Sequence, residues 1–280
     1  MRALTFLAHR FVAGDDISDA VETVRELNAD GLKVTLDNLG EDSHDRAHAL
    51  AAADENLTML SRIADSGVDA NISLKLTQLG MGFDDGLAKE SLLRIVAEAE
   101  KLKNFVRIDM EGSKFTQKTL DMFYGIHDQH PGVGIVLQSS LRRTEQDAKD
   151  AVSRKARVRL CKGAYKEPAS AAFPDKKDVD ASYDRCSAIL AKAPIPAIAT
   201  HDDARIEAAT QAFDAAGLVK SDYELQMLYG IRGKRARELR AKGHTVRIYV
   251  PYGTHWFPYF YRRVRERKEN LLFVARNFFE

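Results

Sequence analysis

The chain has 280 residues, 45% hydrophobic and 30% charged, with 42 Lys+Arg against 41 Asp+Glu and a formal net charge of +1. This excludes a disordered chain and a polyanion binder working through bulk charge, so any basic function must be local. No apolar run approaches the ~20 residues that span a bilayer. The two cysteines, Cys161 and Cys186, form neither a disulfide framework nor a zinc spacing, which points to a reducing compartment, read as the cytoplasm.

The opening stretch, MRALTFLAHRFVAGDD, is interrupted by His9 and Arg10 and reads as mature protein rather than a signal peptide. A helix is predicted from Asp16 to Asp30. Eight short runs rich in β-branched residues then alternate with longer helical patterns. In chain order they are GLKVTLDNLG, DANISLKLTQLG, NFVRIDMEG, GVGIVLQSS, ARVRLCKGAY, IPAIATHD, DYELQMLYG and TVRIYVPYG. Gly31, Gly67, Gly217 and Gly243 each fall just past a helical pattern and before a strand, where a left-handed residue ends a helix. Thr144 with Asp147 resembles a capping box after the fourth strand.

Alternating strands and helices imply a parallel sheet. Eight units in ~250 residues fit a (β/α)8 TIM barrel, preferred here over a doubly wound open sheet. The expected layout is a short N-terminal helical extension, 1–30, then a barrel, 31–280, whose C-terminal helix lies over the mouth.

Chemistry in such a barrel gathers at the C-terminal strand ends. Those ends carry Asp37 and Asn38; Lys75 and Thr77; Arg107, Asp109 and Glu111; Gln138; then Arg159, Lys162, Gly163, Ala164 and Tyr165. The last three strands add Thr200, His201 and Asp202; Glu224 and Gln226; and Arg247 and Tyr249. Each has a plainer reading. Asp109 could only pair an arginine, Asp202 could only cap the next helix, Gly163 could only serve a turn, and Cys161 could be core. Two Gly-rich stretches, GMGFDDG and GIRGK, lack the spacing of a dinucleotide fingerprint or a P-loop.

Asp37, Asp109, Glu111, His201, Asp202 and Glu224 are oxygen and nitrogen ligands suited to a metal-dependent barrel enzyme. Lys75, Arg159 and Lys162 among them would repel a divalent ion, so no metal is expected. These cations suit a small carboxylate, a phosphate-bearing cofactor, or both. A non-catalytic carboxylate- or nucleotide-binding barrel is a third reading.

SLKLTQLG (73–80), RIDMEG (107–112), VLQSSLRRT (136–144), RVRLCKGAY (157–165), ATHDD (199–203), ELQMLYGIR (224–232) and RIYVPYG with WFPYFYRRVRER (247–267) resemble the proline dehydrogenase family in its monofunctional bacterial form. The pieces run in family order across nearly the whole chain. The resemblance implies a distorted (β/α)8 barrel with non-covalent FAD that oxidises L-proline to Δ1-pyrroline-5-carboxylate and passes electrons to a quinone. It also implies no nucleic acid, and raises peripheral contact with the inner membrane. A folate-reducing flavin barrel is closer in chemistry than the metal reading, but Arg262 beside Arg263 argues for an amino-acid carboxylate.

Carried over by residue, the resemblance makes Arg262 and Arg263 the carboxylate clamp, assisted by Lys75. Leu228, Tyr249 and Tyr259 would line the substrate ring, and Asp109 would belong to the active-site hydrogen-bond network. Arg159 would approach the flavin. Gln138, Lys162, Gly163, Ala164, Tyr165, Thr200, His201, Gln226 and Glu266 would contact the flavin or its nucleotide. Lys75, Asp109, Arg159 and Tyr249 are the expected catalytic set. Two departures stand out: Asp202 where the family often has Asn, and Cys161 where many relatives have an aliphatic residue. Relatives also carry more helical sequence before the RFVAG stretch. The remaining charges of the terminal run, Arg265, Arg267 and Lys268, read as solvated. The base that takes the substrate's amine proton stays open among Asp109, a water and bulk solvent.

Overall fold

The computed structural model describes residues 10–266, with side chains at the end of the last helix as far as Arg263. Strands β1 (Lys33–Asn38), β2 (Ala70–Leu74), β3 (Val106–Ile108), β4 (Val133–Gln138), β5 (Arg157–Cys161), β6 (Ala197–Ala199), β7 (Glu224–Leu228) and β8 (Thr245–Tyr252) coincide with the eight predicted runs. Each pairs in parallel with the next, and β8 returns to β1 through Lys33↔Arg247 to Asn38↔Tyr252, closing the barrel.

Helix α1 (Ile17–Ala29) precedes β1, and Asp16 caps it by accepting from the backbone N–H groups of Ser18 and Asp19. The connecting helices are α2 (Arg46–Ser66), α3 (Asp85–Lys101), α4 (Ser113–His127), α5 (Thr144–Ser153), α6 (Lys176–Leu190), α7 (Asp203–Ala215) and α8 (Gly233–Ala241). The four predicted terminating glycines adopt positive φ, between 67° and 89°. The capping box at Thr144 does not form. Thr144 is already helical and its Oγ1 donates back to the Gln138 carbonyl, while Asp147 accepts from Arg143.

The apolar core lies between the sheet and the ring of helices. Val34, Leu36, Ile72, Leu74, Ile108, Ile135, Leu160, Leu225 and Ile248 pack there with Leu60, Leu92, Phe123, Tyr183 and Phe213 from the helices. The intervening strand positions are polar: Thr35 and Asp37, Asn71 and Ser73, Arg107, Arg159, Glu224 and Gln226, Arg247, all buried. Apolar residues usually fill a barrel of this kind. Here a hydrogen-bonded charge network fills it, and period-two alternation assigns one residue set to each face.

The last helix, α9 (Phe257–Glu266), follows β8. Its Tyr259 and Phe260 pack with Phe11, Val12, Leu39 and Ile231 in a second apolar cluster that also takes in Leu228, Tyr249 and Trp256. Phe11 and Phe260 rings lie 6.1 Å apart. The N-terminal segment crosses Gly230 so closely that a Cβ there would lie 1.7 Å from the Arg10 carbonyl oxygen, and Gly230 has φ 72°. Residues 10–13 and α9 are thus fastened to each other above the strand ends.

Candidate active site

The network begins low in the barrel. Arg247 donates Nε and Nη2 to Glu224 (2.9 and 2.8 Å), a bidentate pair, and Nη1 to the Val34 carbonyl and Asn71. Burial pushes the Glu224 carboxyl up, but Arg247 outweighs it and holds it at about 2. Gln226 donates to Glu224 (2.7 Å) and accepts from Arg159 Nε (2.7 Å). Gln226 therefore aims Arg159 with both ends of its amide, and acts on any cofactor through that arginine.

Asp109 is the hub above. Its Oδ1 accepts from Ser73 (2.6 Å) and Arg159 Nη1 (2.9 Å), and its Oδ2 accepts from the Tyr249 hydroxyl (2.9 Å), with the Lys75 ammonium at 3.9 Å. Arg159 also lies over the Tyr249 ring at 5.2 Å. The Lys75 ammonium is held by both oxygens of Asp37 (2.9 and 3.1 Å). Burial pulls Lys75 down, but Asp37 and then Asp109 outweigh it and keep its pKa above the ordinary lysine range. Lys75 and Asp109, just past the ends of β2 and β3, meet Arg159 of β5 and Tyr249 of β8 in one cluster.

Over this floor sit Leu228 and Tyr249, packed with Tyr259 of α9. Arg263 is buried with its guanidinium 5.0 Å from the Tyr259 ring centroid. Arg262, on the same helix, donates to Glu41 (2.8 Å) at the rim. Glu266 ends the helix, and its side chain lies outside the described residues, as do Arg265, Arg267 and Lys268.

The residues expected at a cofactor line the ends of β4 to β7. Gly163 has φ 110°, and a Cβ there would meet Ser140 Oγ at 2.3 Å and Gln138 Oε1 at 3.1 Å. The exposed backbone at Gly163 and Ala164 adjoins half-buried Tyr165. Burial pushes the Tyr165 hydroxyl well above its ordinary range, so it stays a neutral donor. Thr200 accepts from the Asp202 N–H (3.1 Å), and His201 Nε2 accepts from the Leu228 N–H (3.0 Å). Lys162 does not stand as an open cation for a nucleotide. Asp180 (2.5 Å) and Asp202 (2.9 Å) hold its ammonium. Asp202 also caps α7 through the Ala204 N–H, so it ties β5, α6 and α7 together.

Ser73 and Glu41 carry no role in the sequence reading, and Asp37 appears there only as a strand-end residue and candidate metal ligand. Ser73 sits two positions before Lys75 and directly opposite Asp37 in the β1–β2 register. Period-two reading down β2 from Lys75 finds Ser73. Glu41 lies in the loop after β1, where no periodicity marks it. Each of Asp37, Asp109, Asp202 and Glu224 is engaged by a lysine or arginine, which leaves their oxygens committed to cations rather than to a divalent ion. Cys161 is half-buried against the core, and burial pushes its thiol up to about 12, consistent with an unreactive cysteine.

Fold and site together define a (β/α)8-barrel enzyme whose charged groups are gathered at the carboxyl ends of its strands. The sequence matches the family model described as Proline dehydrogenase over residues 20–276, and the chain belongs to that family. It is 40% identical over 268 residues to Proline dehydrogenase 2 of Bacillus subtilis, covering 95% of this chain and 88% of the relative. It is 37% identical over 275 residues to the Proline dehydrogenase of Deinococcus radiodurans, covering 96% and 89%. The fold is similar to the crystal structure of proline utilization A from Bdellovibrio bacteriovorus inactivated by N-propargylglycine. That comparison has a TM-score of 0.89 at 23% identity and covers 96% of this chain and 33% of that one.

Proposed function

We propose that this protein oxidises L-proline to Δ1-pyrroline-5-carboxylate with FAD as its bound oxidant and a quinone as final acceptor. The observation that carries the reading is the packing of Leu228, Tyr249 and Tyr259 into one apolar wall directly above the Asp109–Arg159–Lys75 cluster, beneath a helix bearing two arginines. A small apolar ring with one carboxylate fits that combination of wall and cations.

The residues present fit a flavin. Arg159 Nη2 is buried without a hydrogen-bond partner among the described residues, and such a donor costs stability unless something accepts from it. Gly163 opens the backbone beside Gln138, where any side chain would intrude. Arg159, Gln138, Gly163, Ala164, Tyr165, Thr200 and His201 would hold the group, with Lys162 and Gln226 supporting from behind. When bound, the flavin supplies a two-electron oxidant that accepts hydride.

The protein's own part is orientation and charge. Arg262 and Arg263 fix the carboxylate, with Lys75 adding attraction from below, so the ring is positioned rather than only retained. Tyr249, anchored by Asp109, and Tyr259 press the ring against Leu228 and exclude water. The cations Lys75 and Arg159 favour negative charge developing at the mouth. Among the described residues no helix is long and apolar enough to cross a membrane.

Replacing Arg262 with Met tests the clamp. Losing one arm of a charge-assisted carboxylate contact costs about 2–4 kcal/mol. The apparent KM for proline should rise sharply while flavin content stays unchanged. Near-normal proline turnover in that variant contradicts the assignment.

A further inference from the structure

We propose that Glu111 is the base that receives the proton leaving the substrate nitrogen, an inference that rests on the proline reading above. Glu111 is 4% exposed and follows Asp109 by two residues, on the same side of the β3 line. In the β2–β3 register Ser73 lies opposite Arg107; continued upward, Lys75 faces Asp109 and Thr77 faces Glu111. Thr77 does donate to Glu111 Oε1, at 2.7 Å. Gln138, at the end of β4, donates to the Glu111 backbone carbonyl, at 2.8 Å. Glu111 is therefore fixed one layer above the Asp109–Lys75 level, between residues from β2 and β4.

Its second oxygen, Oε2, is buried and accepts no hydrogen bond among the described residues. A buried carboxyl oxygen without a donor costs stability unless a ligand supplies one. The substrate's secondary ammonium is such a donor. Asp109 is a poor alternative, because Ser73, Arg159 and Tyr249 already donate to its two oxygens.

The groups acting on Glu111 come from every neighbouring element. They are Thr77 and Lys75 from the β2 end, Glu41 and Asp42 from the loop after β1, and Tyr165 from the loop after β5. Glu167, two residues beyond Tyr165, accepts from the N–H of Ser113, two residues beyond Glu111. Burial raises the Glu111 carboxyl to about 7, with Glu41 and Asp42 adding to it and Thr77 and Lys75 opposing it. A base titrating there is half ionised at neutral pH, which suits proton transfer at that pH. Lys75 and the α9 arginines lower the ammonium toward it.

The step balances. One N–H bond of the bound ammonium breaks and its electron pair stays on nitrogen, while an O–H bond forms at Oε2. The freed lone pair then supports departure of hydride from the neighbouring ring carbon to the flavin-class oxidant, leaving the protonated imine. Glu111 returns its proton to solvent after product leaves.

The test compares wild type with Glu111→Gln, which keeps an acceptor for Thr77. The proline kcat/KM is followed from pH 5.5 to 9.5 by anaerobic stopped flow, and binding of cyclopentanecarboxylate is followed by calorimetry. That probe has the ring and carboxylate but no nitrogen. The variant should lose about 100-fold at pH 7.5. Its acid limb should move to the pH range of the amine itself, with probe affinity unchanged. An unmoved acid limb with a rate within about threefold of wild type overturns the proposal, and so does a parallel loss of probe binding. Should the variant fail to fold, Thr77→Val decides. Removing that hydrogen bond should move the acid limb upward, and an unmoved limb overturns the assignment. A wild type that does not oxidise proline at all sinks the broader reading instead.

Discussion

The Tyr249 hydroxyl donates to Asp109 Oδ2 at 2.9 Å, joining β8 to β3 across the barrel. Asp109 keeps Ser73 and Arg159 when that bond is removed. Tyr249→Phe should therefore cost only about 1 kcal/mol of stability. The larger effect should fall on proline, because the ring loses its tether: KM should rise, with flavin content unchanged. Steady-state kinetics beside thermal unfolding separates the two effects.

Glu224 makes the opposite case. Its bidentate pair with Arg247 is buried, so Glu224→Gln leaves a guanidinium without its counter-charge. The expected loss is about 3–5 kcal/mol in urea unfolding. Because folding lowers this carboxyl to about 2, its contribution is complete above the ordinary glutamate range. It is lost as pH falls from there toward 2. The variant should show a flatter acid limb in its stability profile.

Glu111 has the reverse sign. Folding raises its carboxyl from 4.5 to about 7. Its stabilising contribution is therefore present below 4.5 and is lost as pH rises through 7. Glu111→Gln removes that titration. Relative to wild type it should gain up to about 3 kcal/mol between pH 4.5 and pH 8. Unfolding at the two pH values measures the difference, and no gain would mean the carboxyl is not desolvated.

Gly163→Ala probes the cradle at the end of β5. The new methyl meets Ser140 Oγ and occupies a backbone with φ 110°, a strain of about 1–3 kcal/mol. The protein should purify folded but with reduced flavin content. A Ser140→Ala companion change should relieve the clash and leave the backbone strain. Flavin absorbance per mole of protein reads the result.

Most of the scaffold was legible because its signals are local. β-Branched runs and a Gly after four of the helices are short-range choices that agree with the closed barrel, and all eight strands fall where the runs predict. The site was legible where strand ends carry unusual residues, as at Lys75 and Asp109. Other parts are set by tertiary pairing. Lys162 looked like an open cation, yet Asp180 and Asp202, 18 and 40 residues away, hold it. The capping pattern at Thr144 gave way because the Gln138 carbonyl offered its hydroxyl a buried acceptor. Glu41 meets Arg262 across 221 residues from a loop with no periodic signal.

The most direct test is anaerobic addition of L-proline to the purified protein. The account predicts a yellow preparation whose flavin absorbance bleaches with proline and is restored by a soluble quinone. A preparation that stays colourless after FAD is supplied, or a bound flavin that proline leaves unbleached, would contradict it.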